Sequence, residues 1–449
     1  MMRFVTGPLG VAALALLLLL PARDSARPIS LHGPERQTKA SVGWLWNDDG
    51  ARLSSLDEAS LRPVGRPSAR LGYVDTWAVS RADSSLLAVA AHMGGNDEED
   101  LLRFVNVSSL RVVKRTVDLG GWARALVWAR PDRVVALVNT CCTPGSWVSV
   151  IDPGARRVIS RHEVDGQVNV ITRAGDALLL LVSPQNRIGP SRLDVVAADG
   201  SIRSLSLDRV SSGGSWPDGT SENADPIGQV RFPGLAADGA GAHAFVLQPD
   251  GPAAEIDLRT LAVSYHDLVA PTSVLERLAA WLTPVAQAKG VNGPERQATW
   301  LGDGLLALTG TDQRAAKASN GGVEMSGTPA GLAIVDTRDW SIRALDPGAD
   351  WVVPVDGLLL AGGSRWTSEG GEPTGMGLAA YGSDRSLRFR LFGGHAVWVS
   401  TALAGRAYVS LQTSSGTSPV EVVDLASGKV VEERPSPVPT PLLGDAPVQ

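Results

Sequence analysis

The chain has 449 residues, 44% of them hydrophobic, and carries 41 Lys and Arg against 47 Asp and Glu, for a formal net charge of -6. That length can bury a large core, either as two or three ordinary domains or as one closed repeat array. An acidic balance without a basic patch excludes the phosphate neutralisation on which nucleic-acid binding depends.

Residues 1–26 read as an export signal. Arg3 forms a short charged region, "VAALALLLLL" (11–20) the apolar stretch, and "PARDSA" a break with small residues, with cleavage expected after Ala22 or Ala26. Left uncut, Phe4 to Ala22 approaches the roughly 18 to 20 apolar residues that span a bilayer, which makes an N-terminal anchor the alternative. No later stretch is long and apolar enough to cross a membrane, so the remainder is expected outside the cytoplasm, secreted or at the cell surface. Residues 27–40 read as a linker, and the copy of "GPERQ" at 33–37, repeated at 293–297, reads as a polar lead-in to a strand.

From residue 41 to 435 the pattern is a series of short apolar runs rich in Val, Leu, Ile and Trp, separated by Gly, Asp, Pro and Ser, as in strands buried on both faces. "SVGWLWNDDGARLSSLDEASLRPVG" (41–65) supplies about three strands. Hairpins such as "ARALVWAR-PD-RVVALVN" then alternate with hairpins in which an apolar strand ends in a small polar turn, as in "WVSVIDPGARRVIS". The alternation occurs seven times. The turn markers Asn106, Asp152, Asp199, Asp257, Asp336, Asp384 and Asp424 mostly recur at the 40 to 50 residues of one propeller blade.

Two long spacings contain insertions: the polar loop "SSGGSWPDGTSENADP" (211–226), and "TSVLERLAAWLTPVAQAKG" (272–290). In the second, Leu275, Leu278, Ala279 and Leu282 line one face of a helix. The expected fold is therefore an all-β propeller of four-stranded antiparallel blades with one short helical insertion. Seven blades are favoured, closed by the N-terminal strands; an eighth blade, built from those strands and the C-terminal segment, is the alternative. Residues 436–449 are Pro-rich and read as a flexible tail.

The turns "SVIDPGARRVI" and "VEVVDLASGKVV" resemble the strand-turn-strand element of YVTN-type and quinoprotein-like β-propellers, and "VSRADSSLLAVA" is similar to their inner hairpin. The resemblance covers most of residues 41–435. It implies an extracytoplasmic propeller and leaves the activity open.

The only cysteines, Cys141 and Cys142 in "NTCCTPGS", could close a vicinal disulfide in an exported chain, or stay reduced or pair between molecules. Some quinoprotein alcohol dehydrogenases carry such a ring over their quinone, so the resemblance makes a pyrroloquinoline quinone (PQQ) oxidoreductase the enzymatic alternative. No repeated Trp-docking signature or calcium-ligand set accompanies it, and no cofactor is expected.

The six histidines, His32, His92, His162, His243, His266 and His395, form no metal motif, so no metal site is assigned. The acidic loops "GGNDEED" (94–100) and "PDGTSENAD" (217–225) lack calcium-loop spacing and read as solvated. No nucleophile elbow or phosphate-binding loop is present. Trp44, Trp77, Trp128, Trp300, Trp351 and Trp398 read as filling between blades. The functional expectation is a binding or scaffold module that takes a protein, peptide or carbohydrate ligand through its channel-mouth loops. Nucleic acid is excluded, and membrane contact is confined to an uncleaved N-terminus.

Overall fold

The structure, a computed structural model, describes residues 42–47, 50–57, 60–80, 85–94, 99–140, 145–215, 228–248, 251–268, 293–317, 323–367, 373–412, 418–434 and 440–442. The signal region 1–26, the linker 27–40 and the helical reading at 272–290 lie outside the described residues. Among the described residues there is no helix, and so none long and apolar enough to cross a membrane.

The strands assemble into eight antiparallel sheets, most with the simple order first-second-third-fourth. Each of the seven expected hairpin pairs is found, as in Trp122–Arg130, Arg133–Asn139, Ser146–Asp152 and Arg157–Val164. The second strand of each sheet is the most apolar because both of its faces are covered. In Leu86–His92, Leu87, Val89 and Ala91 pack towards the first sheet while Ala88 and Ala90 pack towards the third. Fourth strands such as Arg157–Val164 are largely exposed. Apolar burial therefore runs between sheets, giving eight clusters that each join consecutive sheets. One of them unites Leu56 and Leu61 of the first sheet with Leu403, Tyr408, Val420 and Val422 of the last.

The turn markers work by side-chain capping. Asn106, Asp152, Asp257 and Asp424 each place Oδ1 2.7–2.8 Å from the backbone N–H three residues on. Asp199, Asp336 and Asp384 accept from the N–H two residues on. In Leu110, Arg156, Leu261 and Trp340 the chain leaves the turn through a left-handed residue, φ 53–58°. An eighth turn of the same build lies in the first sheet: Asp57 Oδ1 accepts from Ser60 N at 2.8 Å and Leu61 has φ 53°.

The first sheet combines Val42–Asn47, Gly50–Leu56 and Pro63–Val64 with Thr440–Pro441. Trp44 pairs with Thr440 and Gly43 with Pro441, and Leu442 N–H donates to Val42 O at 2.9 Å. Residues 440–442 are thus part of the sheet rather than of a flexible tail, and the architecture extends past residue 435. Pro441 is tolerated because it sits at a sheet edge, where a missing donor costs little.

Two further differences concern loops. Ser211–Ser215, expected to open a polar loop, instead continues the strand Ile202–Ser215, and the second "GPERQ" is itself strand, the first five residues of Gly293–Gly302. The hairpin Leu305–Lys317 and Val323–Pro329 rises from the sixth sheet and pairs onward with Ser364–Thr367, Thr374–Gly375 and Gly394–His395.

Arginines link neighbouring sheets by donating to backbone carbonyls: Arg103 to Leu71, Arg173 to Leu126, Arg161 to Leu119, Arg203 to Leu258 and Arg434 to Ser60. Aromatic pairs do the same: Trp44 with Trp77, Phe104 with Trp128, Phe245 with Trp300, and Trp351 with Trp398. Of the tryptophans expected to fill between blades, Trp398 departs, being 55% exposed.

Candidate functional site

In a four-stranded antiparallel sheet whose fourth strand leads into the next sheet, the loops after second strands and after fourth strands emerge at the same end. At that end first strands begin, second strands end and third strands begin.

In the second sheet three ionisable side chains converge. Asp75 lies near the start of Tyr73–Val79, His92 ends Leu86–His92, and Asp100 immediately precedes Leu101–Asn106. Their ligand atoms all lie within 4.8 Å of one another. His92 Nδ1 is 3.1 Å from Asp75 Oδ2 and 3.7 Å from Asp100 Oδ1.

Asp100 is fully buried, 0% exposed, so the last residue of the acidic loop 94–100 is not solvated; residues 95–98 lie outside the described residues. Its Oδ2 accepts from Ala123 N at 2.7 Å, while Oδ1 meets no donor. Its backbone is held on both sides, Asp100 N–H donating to Gly121 O and Leu119 N–H donating to Asp100 O. Burial, and Asp75 alongside, push the Asp100 carboxyl well above the usual carboxylate range. The Tyr73 ring stacks on His92 at 5.4 Å.

One residue beyond Ala123, Arg124 belongs to a cavity of about 410 Å³ between the third and fourth sheets. Asn139, Thr140, Gly145, Ser146, Gln167 and Asn186 also line it. Arg124 Nη1 donates to Val168 O at 2.9 Å. No carboxylate pairs with this guanidinium among the described residues, and burial holds its pKa below the ordinary arginine value. Gln167 Oε1 is buried without a hydrogen-bond donor, whereas Asn139 Oδ1 accepts from Ser146 Oγ at 2.8 Å. Trp122, 44% exposed, precedes Ala123 on the same strand.

A common backbone irregularity positions these groups. Pairing between the first and second strands skips from Val74 to Thr76, from Ala123 to Ala125 and from Val168 to Val170, so Asp75, Arg124 and Asn169 are each the extra residue of a β-bulge. A bulged residue leaves the two-residue alternation that commits its neighbours to the apolar interfaces, which frees a charged side chain for the loop end. Asn169 donates to Ser212 Oγ at 3.2 Å and leaves Oδ1 buried without a partner.

Of the sequence-selected residues, Cys141 and Cys142 lie outside the described residues, although Thr140 and Gly145, which flank residues 141–144, line the cavity. His32 and the acidic loop at 217–225 also lie outside them. His92 alone of the described histidines joins a cluster with two carboxylates. His243 pairs with Asp238 at 3.2 Å, His266 pairs with Glu255 at 3.1 Å and stacks on Trp340, and His162 and His395 are exposed. Asp75 and Arg124 carry no sequence signal, because nothing in composition marks a bulge.

No protein-family model matches the chain, and no curated protein matches its sequence. Solved structures do resemble it. The chain is similar to a dihydro-heme d1 dehydrogenase, NirN, in complex with DHE, with a TM-score of 0.53 and 11% identity over 90% of this chain and 75% of that one. It is also similar to Porphyromonas gingivalis dipeptidyl peptidase 4, with a TM-score of 0.45 and 10% identity over 91% of this chain and 60% of that one. A third likeness is the Dos1 propeller, with a TM-score of 0.40 and 10% identity over 70% and 71% of the two chains. Only the first exceeds a TM-score of 0.5, and at 11% identity that likeness concerns the fold alone.

Proposed function

We propose that the chain is an exported or surface-anchored β-propeller whose eight sheets are eight blades, and that it acts as a binding module through the loop end described above. Eight capped turns and eight inter-sheet clusters support the blade number, with the first blade completed by Thr440–Pro441 from the C-terminal side and packed on the last. The observation that carries the binding reading is the cavity beside Arg124. A partly buried guanidinium without a carboxylate, next to an orphaned amide oxygen, is set for a ligand bearing a carboxylate together with a hydrogen-bond donor. A volume of about 410 Å³ suits a small polar molecule or one or two residues of a peptide or sugar chain.

Binding would be read by calorimetry on the full chain, using uronic acids and short peptides with free C-termini against their amidated or neutral counterparts. At least one carboxylated compound should bind, and Arg124→Gln should weaken it at least about tenfold, the scale of a charge-assisted bond. Absence of any carboxylate preference, or equal affinity in the variant, refutes the reading.

The quinoprotein-like alternative draws on the same cavity, since the residues flanking Cys141 and Cys142 in the chain line it. Adding PQQ with calcium separates the two readings: a bound quinone band with dye-linked alcohol oxidation favours the enzyme, and neither signal removes it.

A further inference from the structure

We infer that Asp75, His92 and Asp100 form a binding site for one divalent transition-metal cation of the zinc or manganese type. The inference concerns a different site from the Arg124 cavity and stands without it.

Three observations carry it. The first is the donor set: one imidazole nitrogen and two carboxylates, with ligand atoms within 4.8 Å of one another, close enough for a single ion to reach all three. Calcium and magnesium favour all-oxygen shells, whereas an imidazole ligand suits zinc and its neighbours, and the two carboxylates also admit manganese. The second is the orphaned oxygen. Asp100 Oδ1 is wholly buried, faces His92 and Asp75, and has no donor. Burying an unpaired carboxylate beside a second carboxylate is costly unless a proton or a cation lies between them. Nearby donors are spent elsewhere: Ala123 N–H on the other oxygen, Leu119 N–H on Asp100 O and Gly120 N–H on Asp118 Oδ1.

The third observation is preorganisation. The bulge presents Asp75, stacking on Tyr73 orients the His92 ring, and Ala123 N–H aligns the Asp100 carboxylate. Supports of this kind around ligands fix their geometry before a metal arrives. Two ligands come from the two strands of one hairpin and the third from the residue that leads into the strand beside it, so the site depends on the folded sheet.

The test uses the full chain after dialysis against a chelator, titrated with Zn²⁺, Mn²⁺ and Ca²⁺ separately by calorimetry. Zn²⁺ or Mn²⁺ should bind at one ion per chain and more tightly than Ca²⁺. His92→Ala and Asp75→Asn should each weaken binding at least about tenfold, the effect expected when one of three ligands is lost. Asp100→Asn keeps an acceptor for Ala123 N–H and removes the ionisable carboxyl; it should weaken binding similarly while leaving the far-ultraviolet spectrum of the metal-free protein intact and its Tm no lower. Co²⁺ loaded in place of zinc should give visible d–d bands that His92→Ala alters. The inference is overturned if neither Zn²⁺ nor Mn²⁺ binds stoichiometrically, if Ca²⁺ binds more tightly than both, or if all three variants bind as the wild type does.

Discussion

Closure of the ring makes a prediction whose size follows from the contacts of Leu442. This residue is buried in the cluster that also holds Val42, Trp44 and Leu53, and its N–H holds the first strand through Val42 O. Leu442→Ala leaves the strand pairing intact and removes the side chain from a cluster it only rims, so the cost sits at the low end of the range for buried leucine, about 2 kcal/mol. With an unfolding entropy of about 2.1 cal/mol/K per residue, that corresponds to a fall in Tm of about 2 °C for a chain of this length. Deleting 440–449 removes the pairing of Gly43 and Trp44 as well. It bares the edge of Val42–Asn47 together with Trp44, which is fully buried in the intact chain. A larger fall in Tm is then expected, accompanied by association through the open edge. Deleting 443–449 alone is the control and should change neither property. Differential scanning fluorimetry with size-exclusion chromatography reads all three variants. If the 440–449 deletion melts with the control and stays monomeric, the C-terminal strand does not close the ring.

Two further outcomes rest on a half-buried acid and a buried one. Asp350 is raised to about 6 by burial, against which Ser364 N–H acts by donating to its carboxylate. Because the folded value lies above the unfolded 3.8, its contribution to stability is fully present below pH 3.8 and is lost as pH rises through 6. Asp350→Asn, which keeps the acceptor for Ser364, should therefore match the wild type near pH 4 and exceed it at pH 7. The gain, measured by urea unfolding at both pH values, should be about 1–2 kcal/mol after allowance for partial solvation; no gain at pH 7 rules the account out. From the seventh sheet, Tyr381 O–H and Arg390 both donate to Oδ2 of Asp346, which ends Ser341–Asp346 of the sixth, while Gly348 N–H donates to Oδ1. Tyr381→Phe should cost about 1–3 kcal/mol in the same assay, since a buried carboxylate loses a donor that water cannot replace; a neutral substitution would show that Arg390 and Gly348 suffice.

Much of the architecture was legible because its signals are local. Apolar runs such as "RVVALVN" and "ALLLLVS" mark strands covered on both faces, and the marker carboxylates cap their turns within three residues of themselves. The eighth marker, Asp57, carried the same signal, with Ser60 three residues on and Leu61 four on. It falls in a fragment that supplies only three strands, so its equivalence to the other seven emerges only once Thr440–Pro441 completes the sheet. A Pro-rich composition argued against strand there, and pairing at an edge overrode it, because an edge position does not need the proline's missing donor.

The site was legible only in outline. The sequence by itself determined which loops share an end of the molecule, since antiparallel alternation places the ends of second strands beside the beginnings of first and third strands. It also placed His92 and the acidic loop 94–100 next to each other. Only the tertiary structure decided that Asp75, Arg124 and Asn169 leave the sheet alternation through bulges, that Asp100 is buried with one oxygen unpaired, and that the third and fourth sheets part around a cavity. The physical reason is one of range. Strand periodicity and turn capping are set by neighbours a few residues away, whereas a bulge's register and a carboxylate's burial are set by which strand lies alongside, and residues 75, 100 and 123 become neighbours only when the sheets pack.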